Sequence, residues 1–235
     1  MDSINYTYQF EFQNGRKEEF HLKLDSQTLS LIQTQDVEIP DWARLEFKQC
    51  LGCPLSLETI YCPLAKQIAP LVDKLKDVLS IEETQVTVIQ DQRVISNDTT
   101  AQEGISSIMG ILTAVSGCPL TLFFKPMARF HLPFANIEET FYRATSMYML
   151  GQYYRWKDNM SADMDMRGLP RYYSNVAMVN KYMAARLKDS KREDAAVNAL
   201  VLLDMFVQSL PDTIDDILEE FKPLFESYLH EKNIT

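Results

Sequence analysis

Glycine and proline are scarce in this chain of 235 residues, at 7 and 10. Their scarcity excludes a collagen-like or Gly/Ser-rich chain. Bases are in the minority: 23 Lys and Arg against 33 Asp and Glu leave a net charge of −10. Such a surface repels phosphate backbones and anionic lipid, so neither nucleic acid nor a membrane surface is an expected partner. Cysteine is limited to 4 residues, which in a chain of this size does not read as a disulfide framework. Met1 to Phe10 has no basic n-region and no apolar h-region, which makes the cytoplasm the expected compartment. Phosphate loops, dinucleotide glycine fingerprints and a Gly-x-Ser-x-Gly elbow are missing, and most familiar cofactor enzymes lose their footing with them. The longest uncharged stretch, Gly104 to Phe124, is long enough to raise the question of a membrane span. Ser106, Ser107, Thr113 and the breaker Ser116-Gly-Cys-Pro119 interrupt it, so it reads as a buried helix followed by a buried turn or strand.

What is present is an ordinary globular balance, 46% apolar and 24% charged, long enough to bury a core without staples. Tyr6, Tyr8, Phe10 and Phe12 lie two apart and line one strand face, Asn14-Gly15 suits a tight turn, and Phe20, Leu22 and Leu24 resume the alternation. A hairpin over residues 5–24 follows. Leu29 with Leu31, and Leu45 with Phe47, suggest two further short strands. Thr84–Gln90 and Arg93–Ser96 flank Asp91-Gln92 as a second hairpin. Between the hairpins, Leu64 to Leu79 has helical spacing, with Pro70 placed to kink or split it.

From about Thr100 the period becomes 3.6. Ile105, Ile108, Met109, Leu112 and Val115 share a face, and Asn136 with Glu139 forms a capping-box start. Pro170 suits the first turn of a helix, Ser190 to Glu193 a second capping box, and Pro211 the opening of a last helix. No Pro/Gly/Ser-rich linker separates the two regimes. The expected fold is therefore one α+β domain over residues 1–235: an antiparallel sheet with one inserted helix over 1–99, and a mostly helical half over 100–235 packed on it.

Chemistry is most legible in the cysteines. Cys50 and Cys53 form a C-x2-C pair, Cys62 follows eight residues later, and Cys118 lies far along the chain. Cys53, Cys62 and Cys118 each open a Cys-Pro-Leu tripeptide. Pro63 suits a first helical position, which puts Cys62 at the cap, where the helix dipole favours thiolate. Three readings stand side by side: a structural zinc site of Cys50, Cys53, Cys62 and Cys118, with His131 as substitute ligand; thiol redox or an iron–sulfur cluster; and inert buried thiols. His21 belongs on an exposed strand face, and His131, in Phe130-His-Leu-Pro-Phe134, reads as a hydrogen-bonded, semi-buried histidine. Glu138 and Glu139 serve the cap and the dipole. Asp163-Met-Asp165 falls in a loop, with contact to a divalent ion as the weaker use. The tyrosines from Tyr142 to Tyr173, with Trp156, read as core with an exposed, adhesive end.

Gln49-Cys-Leu-Gly-Cys-Pro-Leu55, Tyr61-Cys-Pro-Leu-Ala65, Ser116-Gly-Cys-Pro-Leu120, Met127-Ala-Arg-Phe-His-Leu-Pro-Phe134, Glu139-Thr-Phe-Tyr-Arg143 and Leu150-Gly-Gln-Tyr-Tyr154 together resemble a family of uncharacterised bacterial proteins, a domain of unknown function. The resemblance spans nearly the whole chain. It implies a bacterial origin and a single-domain unit, and it brings no activity, cofactor or partner. The expected function is accordingly a cytoplasmic, non-enzymatic interaction or structural module. A protein partner would meet the aromatic, Met-rich helical half, and a zinc site would clip the fold. The alternative is a thiol-dependent redox enzyme or sensor using Cys50 and Cys53.

Overall fold

The alternation of aromatic and polar residues near the amino terminus becomes strand β1 (Ser3–Phe12), which pairs antiparallel with β2 (Lys17–Asp25). The computed structural model describes residues 3–32, 38–56, 58–190 and 194–230, without the side chains of 206 and 209–213. Gly15 takes a φ of +84° at the turn between the strands, a conformation that a side chain makes costly. Strand β3 (Glu83–Gln90) pairs antiparallel with the other edge of β1, and β4 (Arg93–Thr100) with β3. The resulting order is β2-β1-β3-β4. Because side chains alternate across a sheet, Tyr6, Tyr8, Phe10 and Phe12 share a buried face. Phe20, Leu22 and Leu24 from β2 and Val86 and Val88 from β3 are buried with them.

The two extra strands expected at Leu29/Leu31 and Leu45/Phe47 do not form. Asp25 Oδ1 accepts the backbone N–H groups of Gln27 and Thr28 at 3.0 and 2.7 Å, which turns the chain. Leu31 retains a single bridge to Leu24. A 3-10 turn, Asp41–Ala43, precedes Leu45. The Cys62 N–H donates to Ala43 O at 2.8 Å and the Leu45 N–H to Ile60 O at 2.9 Å. That is a bridge of one residue pair, Arg44 with Tyr61, too short for a strand. Helix α1 (Pro63–Lys74) opens on Cys62 as N-cap and Pro63 in its first turn. It runs through Pro70 without splitting, and it stops short of the expected Leu79.

After the sheet the chain is helical: α2 (Ala101–Val115), α3 (Lys125–Arg129), α4 (Ile137–Lys157), α5 (Leu169–Asp189), α6 (Ala195–Phe221) and α7 (Glu226–Leu229). Helix accounts for 51% and strand for 18%, which makes the fold α+β. Among the described residues no strand lies beyond Thr100. Helix α4 starts as its sequence foretells: Asn136 Oδ1 accepts the Glu139 N–H at 2.8 Å while the Glu139 carboxylate accepts the Asn136 N–H at 2.9 Å. Ser190, expected to open α6, instead closes α5, and Asp194 caps α6. Glu193, the other half of that expected box, lies outside the described residues, as does the Phe206 side chain. Helix α6 continues through position 211, where a new helix was expected to begin.

Helix α2 is buried on nearly every side, between the sheet and α6. Gly104 lets it lie close on the sheet: a Cβ there would stand 2.6 Å from the Phe10 ring and 2.8 Å from Val86. One continuous cluster of buried side chains runs from β1 through α2 to α6. Among the described residues no helix is long and apolar enough to cross a membrane.

Candidate functional site

One side of α2 carries small residues. Ser106, Ser107, Gly110, Thr113 and Ala114 recur at helical spacing, and a Cβ at Gly110 would meet nothing within 4 Å. Where side chains are small at successive turns, a helix leaves room beside it. The room here is a cavity of about 480 Å³. Its walls are Tyr173, Val176 and Asn180 of α5, Leu202, Leu203 and Val207 of α6, and Thr140, Phe141 and Arg143 of α4. The segment from Phe124 to Ile137 closes another side, and Asn97 and Thr99 of β4 reach it with Glu103. The Glu103 carboxylate is held by Thr99 and Thr100 at the start of α2. The lining is mostly apolar with a few polar groups, the usual make-up of a small-molecule site.

Two of those polar groups stand out energetically. Asn180 is 2% exposed, and among the described residues neither its Nδ2 nor its Oδ1 has a hydrogen-bond partner; the Thr113 hydroxyl is buried and equally unpartnered. Buried polar atoms are as a rule hydrogen-bonded, and each one left without a partner costs about 1–3 kcal/mol.

A second polar region lies where the cavity meets the sheet. The Tyr8 hydroxyl and His131 Nε2 share a hydrogen bond of 2.6 Å, and Ser107 Oγ lies 3.1 Å from the same hydroxyl. Tyr6 stands edge-on to the His131 ring and donates to Ala128 O at 2.8 Å. Burial, and then the Arg143 cation, push the His131 pKa down to about 3, so this imidazole is neutral at physiological pH. Arg143 Nη2 donates to Met127 O and Phe130 O at 3.1 and 3.0 Å. Burial lowers the pKa of its guanidinium, and it makes no ion pair among the described residues. Burial also raises the Tyr8 and Tyr173 hydroxyls above the ordinary phenol value.

All four cysteines are free, Cys62 and Cys118 buried and Cys50 and Cys53 half-buried. Gly52, with φ +73°, makes the turn in which the Cys53 N–H donates to Cys50 O at 3.1 Å. Burial pushes the Cys50 thiol up to about 12, and Cys62, Cys118 and Cys53 add to the effect. Burial raises Cys118 as well. Beside them sits Arg186, 1% exposed. Its Nη1 donates to Trp42 O at 2.9 Å and Arg44 O at 2.5 Å, and its Nη2 to Leu45 O at 2.9 Å. Its Nε has no partner among the described residues. Burial lowers the Arg186 pKa, and Cys62, Cys50 and Cys53 oppose that shift. Among the described residues no group of three or more His, Cys, Asp or Glu is arranged to hold a metal ion.

Asp163, expected in a loop, accepts the Tyr148 hydroxyl at 2.5 Å and the Gly168 N–H at 2.7 Å, which ties that loop to α4 and to the start of α5. Those bonds hold its carboxyl below the usual range. Tyr148 and Tyr173 are core, Tyr172 stacks on Phe123 at 3.6 Å, and Tyr153, Tyr154 and Trp156 are exposed at the end of α4. Reading the sequence missed Asn180 and Arg143. The small-residue spacing from Ser106 to Ala114 was the one signal that pointed toward the cavity. The model of a family described as a domain of unknown function (DUF6901) matches residues 6–226. No curated protein and no solved structure matches the chain.

Proposed function

The chain belongs to the DUF6901 family, whose description names no activity, and we propose from its own geometry that it is a non-enzymatic binding module. The cavity beside α2 receives a small, mainly apolar molecule. The observation that carries this reading is the pair of buried, unpartnered groups, Asn180 and Thr113, on the wall of a cavity of about 480 Å³. A ligand that hydrogen-bonds them offsets the cost of their burial. A neutral fluorescent naphthylamine should bind the full chain saturably with one site. Gly110→Leu, which places carbon into open space, should weaken that binding at least tenfold while the fold persists by circular dichroism. Equal binding by the variant, or no saturable binding by the wild type, sinks the proposal. The exposed Tyr153, Tyr154 and Trp156 are the part of this module suited to a protein partner. Four free thiols suit a reducing compartment, which supports a cytoplasmic setting.

The mutual influence of the four thiols, with Arg186 beside them, supports a second reading that is separable from the first. In it Cys50, Cys53, Cys62 and Cys118 close on a structural zinc ion from positions that, among the described residues, do not form a metal-holding group without it, with the Arg186 cation compensating thiolate charge. Zinc near one equivalent in protein purified without chelator, and a lower melting temperature for Cys50→Ser, are the expected results. Metal-free protein with unchanged stability in Cys50→Ser leaves inert thiols in place of zinc. Reversible oxidation of Cys50 with Cys53 would favour the redox alternative, against which the high Cys50 pKa already weighs.

A further inference from the structure

The cavity has two polar poles, and their chemistry differs. On α2, Ser107 belongs to the pole at His131, and Thr113, six residues on, lines the same cavity as Asn180, each without a hydrogen-bond partner among the described residues. Six residues of helix separate them, about 9 Å at 1.5 Å per residue. The facing helix repeats the spacing: Tyr173, whose hydroxyl senses the Arg143 charge, precedes Asn180 by seven residues, about 10 Å. Between the poles the wall is carbon, including Val176 and Ile111.

Resting on the cavity reading above, we infer that the occupant is a medium-chain monocarboxylate with a hydroxyl or amide group at its far end. Its carboxylate meets Arg143, and its distal group meets Asn180 and Thr113. Arg143 spends Nη2 on two backbone carbonyls, while its Nη1 and Nε have no hydrogen-bond partner among the described residues. Each of these nitrogens keeps an N–H that can donate to one oxygen of an anion, a charge-assisted hydrogen bond made singly because both paired edges of the fork include Nη2. The nearest acid along its own helix, Glu139, is committed to the Asn136 cap. The neutral His131 adds no second positive charge. At the other pole, Asn180 presents both a donor and an acceptor, which a bare methyl end would leave unpaired. The net charge of −10 opposes an approaching anion only weakly, because surface charges are screened beyond about 8 Å at physiological salt. Arg143 acts at contact.

The test is displacement of the naphthylamine from the full chain by decanoate, ω-hydroxydecanoate, decan-1-ol and decylamine, each below its aggregation threshold. Decanoate should displace at least tenfold more strongly than decan-1-ol, and decylamine should be weakest. The ω-hydroxy acid should improve on decanoate, and Asn180→Leu should remove that improvement while leaving the preference for decanoate over decan-1-ol. Arg143→Gln should remove the preference itself. Because Arg143 also ties down backbone, the ligand series on wild-type protein stands independently of that variant. Equal displacement by decanoate and decan-1-ol overturns the anionic head group and leaves an apolar cavity standing. No gain from the ω-hydroxyl overturns the distal contact. If none of the four displaces a probe whose binding Gly110→Leu weakens, this inference fails and the cavity reading stands; if the probe itself does not bind saturably, both fail.

Discussion

His131 is a titratable side chain folded in its neutral form. Its pKa of about 3 lies below the ordinary histidine value of about 6.5, so between those limits the unfolded chain binds the extra proton. Its contribution to stability is complete above about pH 6.5 and is lost as the pH falls toward 3, with a slope of roughly 1.4 kcal/mol per pH unit. Urea unfolding at about pH 7 and pH 5 should therefore show a steeper loss for wild type than for His131→Gln, whose amide carries no charge at either pH. Parallel losses would mean that the proton goes elsewhere. The sequence already marked this residue as a hydrogen-bonded, semi-buried histidine, because apolar neighbours surround it in Phe130–Phe134. It did not reveal Tyr8 as the partner, which lies 123 positions away.

At the scale of elements, legibility followed local chemistry. The β1–β2 hairpin and the start of α4 depend on residues a few positions apart, and both formed as read. Leu45 and Phe47 had the spacing of a strand but no long partner edge, since the pairing of 43–45 with 60–62 stops at two backbone hydrogen bonds among the described residues. The cavity draws its wall from β4, α2, α4, α5, α6 and the segment before α4, so no single period announces it. Helices α2 and α4 together supply a test in which one substitution has opposite effects at two sites. Gly104→Ala should destabilise by about 1–3 kcal/mol despite the better helix propensity of alanine, because the added carbon strikes Phe10 and Val86. Gly151→Ala, in exposed α4 where a Cβ meets nothing within 4 Å, should stabilise by about 0.5–1 kcal/mol. Denaturant midpoints decide both, and a neutral Gly104→Ala would mean that α2 does not rest so closely on the sheet.

At the scale of the whole molecule, the side-chain hydrogen bonds that span the most sequence among the described residues are those of Arg186, which joins the end of α5 to Trp42, Arg44 and Leu45 across some 140 positions. Nothing near Arg186 in the chain announces that role; a basic residue in the last turn of a helix is ordinary dipole complementation. Lysine cannot reproduce a fork that bonds three carbonyls. Arg186→Lys should therefore cost at least about 3 kcal/mol, read as a fall in unfolding midpoint, and retention of the wild-type midpoint would show the tie to be dispensable. The same clamp gives the protein an optical reporter. Of its 2 tryptophans, Trp42 is 7% exposed beneath Arg186 while Trp156 is 66% exposed at the end of α4. The solvated indole emits further to the red and the shielded one further to the blue. Acrylamide quenches the first and spares the second. Whatever loosens the contact between α5 and the thiol loops will thus be visible as quenching of Trp42 fluorescence, with no label attached.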